Sequence, residues 1–218
     1  MPTVYADSNG DGYNFKVSTS NWADARDATT GTSSSTSTRH SYAVRASKAA
    51  GRGGSQWQVW RTFMYFDTSG VTDTLESATI NIRGYSFGAD TADLWVVDST
   101  HGTTLTDGDF DAITGWVSGA DNSSNVTKYC DSEITTWSVS GYNSITLNAA
   151  ALSDIVSQDN FTICLIEADY DLTNTEPSSM VNSGVYFTDY TGTSFDPYLD
   201  YTVATAVTDN ATFFGTNF

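Results

Sequence analysis

The stretch RTFMYFDTSGVTDTLESATINIRGYS, Arg61 to Ser86, constrains the fold more than any other part of the chain. A dense apolar run stops at Phe66-Asp67, breaks over Thr68-Ser69-Gly70, and restarts as a clean alternation at Leu75. Side chains of a strand point alternately to its two faces, so each run reports what covers it. From Gln56 to Phe66 both faces are apolar near the end, Phe63 and Tyr65 on one and Met64 and Phe66 on the other. That pattern predicts a central strand covered on both sides. From Ser77 to Arg83, Ala78, Ile80 and Ile82 turn inward while Thr79, Asn81 and Arg83 face water. Between the two strands, Asp67 and Ser69 suit an Asx- or ST-type turn, and Gly70 frees the backbone.

The same reading predicts strands at 93–98, 143–148, 161–167, 184–190 and 197–203, separated by Gly, Asp and Asn turns. Ala149 to Val156 reads as a short helix, and Asp107 to Trp116 adds a helical turn. Thr, Ser, Val and Tyr dominate over Lys, Glu and Leu, which favours strands. The expected fold class is all-β: an antiparallel, jelly-roll-like β-sandwich with one short helix and a C-terminal extension. Residues 1–203 form one domain, in which 28–54 is a long Ser/Thr/Gly-rich loop region with room in YAVRASKAAGRGG for a short strand or one helical turn. Residues 204–218 form a tail, polar until Phe213, Phe214 and Phe218. Those three rings are candidate anchors, either on a partner subunit or back on their own domain.

The net charge of −17 is unevenly placed. Seven of the nine Lys and Arg lie at or before Arg61, leaving a strongly acidic remainder. An acidic body repels phosphate backbones, so nucleic acid is not an expected partner. No apolar stretch is long enough to span a bilayer, and MPTVYADSNGDG lacks the features of a signal peptide. Cys130 and Cys164 show no metal spacing, and Cys164 in FTICLI reads as a small buried side chain.

Signals of catalysis are sparse. His40 and His101 are the only histidines and read as surface residues, and GxSxG, HExxH and CxxC are absent. The chain is therefore expected not to be an enzyme, with no catalytic residues. Asp7-Ser-Asn9-Gly-Asp11-Gly12 matches the first half of a calcium loop, making Asp7, Asn9 and Asp11 candidate ligands. A complete EF-hand loop needs Glu where Ser18 stands, and the Asn-Gly and Asp-Gly pairs read equally as turn dipeptides. Trp22, Trp116, Trp137 and Tyr142 are candidates for stacking on sugar rings, with core packing as the alternative for each.

Arg61 to Val71 followed by Ser77-Ala-Thr-Ile-Asn-Ile resembles the strand-turn-strand signature of DNRLRE-type and related jelly-roll carbohydrate-binding domains. Asp107 to Trp116, Tyr142 to Leu152 and Asp159 to Ile166 are similar to segments of structural proteins from tailed, marine-type bacteriophages. Together these segments span roughly residues 57 to 203. The resemblance implies a virion structural protein (a capsid decoration, fibre or tail appendage) that contacts other virion proteins or further copies of itself. It also implies adhesion to a host surface glycan. The alternative it leaves open is an extracellular, free carbohydrate-binding module of a secreted polysaccharide-degrading system.

Overall fold

The computed structural model describes residues 1–51, 54–86 and 90–205. Phe213, Phe214 and Phe218 lie outside the described residues. Two antiparallel sheets pack face to face, as the alternating runs predict. The smaller sheet orders β1 (Thr3–Tyr5), β11 (Tyr198–Val203), β6 (Leu75–Arg83) and β8 (Tyr142–Thr146). The larger orders β10 (Met180–Tyr186), β4 (Arg39–Gly51), β5 (Gly54–Asp67), β2 (Gly12–Ser18) and β3 (Ser33–Ser35). It continues through β9 (Asn160–Glu167), which pairs with the end of β5, and β7 (Leu94–Asp98). Two short helices accompany them, α1 (Trp22–Arg26) and α2 (Ala149–Ser157), each capped by an asparagine, Asn21 and Asn148.

Strand β5 is covered on both faces. Met64 and Phe66 join Ile80, Ile82, Leu199 and Phe161 in the core between the sheets. Phe63 points the other way, onto Val97, Leu105, Ile113 and Leu172. The outer face of the larger sheet is thus buried beneath α1 and the long connection through residues 99–130, with Trp22, Ala25, Ala46, Val59 and Phe110 as a third cluster.

Four expectations need correction. Residues 28–54 are not one loop, for they supply β3 and the 13-residue β4, which hydrogen-bonds to β5 and β10. Its small side chains, Ala43, Val44 and Ala46, are buried and leave little apolar signal. Asn81 does not face water: it is 5% exposed and accepts a hydrogen bond from the Ser144 hydroxyl at 2.6 Å. Strand β10 ends at Tyr186 and begins at Met180, four residues before the expected 184–190. His101 is buried, with Nε2 3.0 Å from the Gly10 carbonyl, and burial holds its pKa below the usual imidazole range. Cys130 and Cys164 are both buried and unpaired thiols. No helix among the described residues is long and apolar enough to cross a membrane.

Candidate functional site

The outward face of the smaller sheet carries the most distinctive surface. On β11 Leu199 turns into the core, so Tyr198 and Asp200 turn out; on β8 Ile145 turns in, so Ser144 and Tyr142 turn out. Pairing then sets outward side chains beside one another. Tyr5 sits opposite Tyr198, Tyr198 opposite Asn81, and Arg83 opposite Tyr142. Ring centroids are 5.9 Å apart for Tyr5 and Tyr198 and 5.1 Å for Tyr198 and Tyr142.

Arg83 carries this row across the end of the sandwich. Its guanidinium lies 4.3 Å from the Phe195 ring and 5.8 Å from Tyr142. Phe195, Tyr186 and Tyr190 form a mutual triangle with centroids 4.7, 4.8 and 5.0 Å apart, and Tyr85 adds an edge contact to Tyr186 at 5.1 Å. Arg39 closes the far end, 4.6 Å over Tyr85 and 5.3 Å from Tyr190. The result is a continuous band of seven partly exposed aromatic rings threaded by two arginines. Neither arginine has a carboxylate ion-pair partner among the described residues. Edge-to-face packing of this kind fixes the rings while leaving part of each one wet.

Tyr142 and Tyr198 stay protonated. Burial and the neighbouring Tyr198 push Tyr142 up to about 12, and burial with Asp200 raises Tyr198. Each hydroxyl therefore both donates and accepts hydrogen bonds at any physiological pH. Beside Tyr142 the band opens into a groove of about 510 Å³, whose walls offer Ser132, Thr136, Ser144 and Thr146.

A glycine makes the junction between the sheets. The Gly184 carbonyl accepts from Tyr85 N–H at 2.9 Å and from the Trp137 indole at 3.0 Å. A Cβ there would sit 2.2 Å from the Ser86 carbonyl oxygen. Backbone atoms cannot yield cheaply, so Gly184→Ala is expected to cost about 1–3 kcal/mol, as overpacking does. Urea unfolding measures that cost, and near-UV circular dichroism reads the accompanying change at Tyr85 and Tyr186. An unchanged midpoint would contradict the packing described.

Of the residues singled out for stacking, only Tyr142 belongs to the band. Trp22 and Trp137 are 6% and 7% exposed and serve the core. The Trp116 ring is already engaged by two cations, with the Arg26 guanidinium 4.3 Å away and that of Arg61 4.1 Å away. The calcium half-loop does not assemble a ligand set. Asp7 Oδ1 accepts the Asn9 N–H and closes an exposed Asx turn. Asp11 is buried, and its two carboxylate oxygens take the N–H and hydroxyl of Thr188 at 2.8 Å each. Among the described residues no three His, Cys, Asp or Glu side chains are grouped to hold a metal ion.

Carboxylates do gather at Asp93, Glu133 and Asp169, where burial and mutual repulsion raise Asp93 and Glu133.

Sequence reasoning passed over Tyr5, Tyr85, Tyr186, Tyr190, Phe195, Tyr198, Arg39 and Arg83. One signal was available: Tyr198 alternates with the inward Leu199, which puts an aromatic ring on a strand's wet side. No protein-family model matches this chain, and no curated protein matches it.

Proposed function

We propose that this protein is a non-enzymatic structural component of a tailed-bacteriophage virion whose tyrosine-arginine band adheres to saccharide on the host surface. The observation that carries the reading is the band itself: seven partly exposed rings held against one another on the sandwich. Sugar rings present C–H faces that lie against aromatic rings, while their hydroxyls seek donors and acceptors fixed in place. Phenols, two guanidinium groups and the hydroxyl-lined groove supply both kinds of partner at one end of the molecule. The virion assignment rests on the resemblance of three segments to phage structural proteins.

A free carbohydrate-binding module is the second reading, because the same band serves it equally. The two separate on one experiment. Antibody against the protein labels purified phage particles in stoichiometric copies under the first and labels none under the second.

Glycan binding has its own test. The protein on a glycan array is expected to give hits, and Tyr186→Ala/Tyr190→Ala is expected to weaken them at least tenfold. Circular dichroism should show the variant folded, since both rings lie at the surface. Array hits that survive this substitution would dismiss the band as the contact surface.

A further inference from the structure

We propose that the apolar groove beside α2 is the docking site for the chain's own C-terminal residues, with Phe213 and Phe214 as its anchors. The groove encloses about 430 Å³ between α2 and the start of β6. Helix α2 drives Ala151 and Ile155 into the core, which leaves Leu152 and Val156, one turn apart, facing sideways into the groove. Leu75 and Ala149 line it as well. A wall of this composition gains from an apolar occupant, at about 25 cal/mol per Å² of surface removed from water.

The chain leaves the described structure at the lip of this groove. Val203 pairs with Leu75, and the Ala204 N–H donates to the Thr74 carbonyl at 2.8 Å. Thr74 and Leu75 both line the groove. Thirteen residues follow Thr205, and Asp209 is the only charged side chain among them. Phe213 stands eight residues beyond Thr205. An extended chain covers about 3.3 Å per residue, so this tether reaches roughly 26 Å. Nine-residue α2 is only about 13 Å long, so the tether reaches any point of the groove with room to turn back.

Proximity chooses between the chain's own tail and that of a second copy. A tether this short holds its end at an effective concentration in the millimolar range. A neighbouring molecule at micromolar concentration cannot compete with that. Phenylalanine is the residue with most to gain, since each ring buries about 150–250 Å² when covered. The inference does not depend on the saccharide-binding reading, because the groove and the tyrosine band are built from different residues.

Methyl NMR on the full chain tests it. Phenyl rings seated in the groove are expected to move the Leu152 and Val156 methyl resonances through their ring currents. Phe213→Ser/Phe214→Ser is expected to return those resonances to ordinary values and to speed amide exchange across α2. Resonances unchanged by the substitution would overturn the proposal. A mixture of isotope-labelled and unlabelled chains guards against a different occupant. Contacts between Phe213 or Phe214 of one molecule and Leu152 of another would make a second copy the occupant and would equally overturn it. Contacts confined within one molecule, with a monomer by sedimentation, support it.

Discussion

Substituting Asp171 with alanine is expected to lower stability by about 3–5 kcal/mol, the largest single effect in the molecule, because it strands a buried guanidinium. Arg61 and Asp171 are both fully buried and meet in a two-pronged bridge, Nε to Oδ2 at 2.8 Å and Nη2 to Oδ1 at 2.7 Å. Arg61 also donates to the carbonyls of Phe110 and Arg26, and Arg26 donates through Nε to the Asp171 carbonyl. Both guanidinium groups lie against the Trp116 ring. Asp171 is placed by the single π-type turn Ala168–Leu172, whose first amides, those of Asp169, Tyr170 and Asp171, all donate to the Glu167 carboxylate. One constellation therefore pins β5, α1, the turn after β9 and the 99–130 connection together. Taking two charges from water is costly, and the bridge offsets that cost only while every donor is matched. Arg61→Met with Asp171→Leu removes both charges at once and is expected to recover part of the loss. Urea unfolding measures each step. A loss below about 1 kcal/mol for Asp171→Ala would mean that the pair is solvated and the outer layer loose.

Asp11→Asn is expected to stabilise the protein above neutral pH and to leave it nearly unchanged near pH 4. Burial raises the Asp11 carboxyl to about 7, helped by nearby Asp189 and Asp196 and opposed by the two hydrogen bonds from Thr188. A carboxyl whose folded pKa exceeds its unfolded value binds its proton more tightly in the native state. Its contribution is complete below about pH 4 and is lost as pH rises through about 7. Each pH unit of that window is worth about 1.4 kcal/mol, so the parent loses a few kcal/mol that the variant keeps. Asparagine fits the site, accepting the Thr188 N–H with its carbonyl and donating to the Thr188 hydroxyl with its amide. Comparing the two proteins cancels the opposite slope expected from His40 and His101, whose pKa values burial lowers. Parallel stability curves between pH 5 and 8 would contradict a proton held at Asp11. The same pair of proteins tests the calcium half-loop, since the structure predicts no calcium-dependent protection in either.

The parts of the fold legible in the sequence are those written in large apolar side chains. Strands β5, β6 and β9 announce themselves because Phe63, Met64, Ile80, Ile82, Ile163 and Leu165 follow period two or fill both faces. Strand β4 hides because small side chains, Ala43, Ala46 and Ser47, are buried between its neighbouring strands yet leave no long apolar run to read. Strand β10 begins before Gly184 rather than at it, since that glycine marks a close approach to Ser86 within the strand and not its end. The buried pair was invisible for a different reason: Arg61 and Asp171 are 110 residues apart, and each alone looks like a surface charge. The tyrosine band escaped notice because a ring on a strand reads by default as core. Tryptophan drew the attention, yet its size makes it the ring that most needs covering, and Trp22 and Trp137 are covered.

The most direct test of a saccharide-binding sandwich is an NMR titration of the labelled protein with the strongest glycan from the array. Shifts are predicted to concentrate at Tyr5, Tyr85, Tyr142, Tyr186, Tyr190, Phe195 and Tyr198, with Arg39 and Arg83 among them and α2 silent. Shifts centred elsewhere, or none at saturating glycan, would contradict the function assigned to this face.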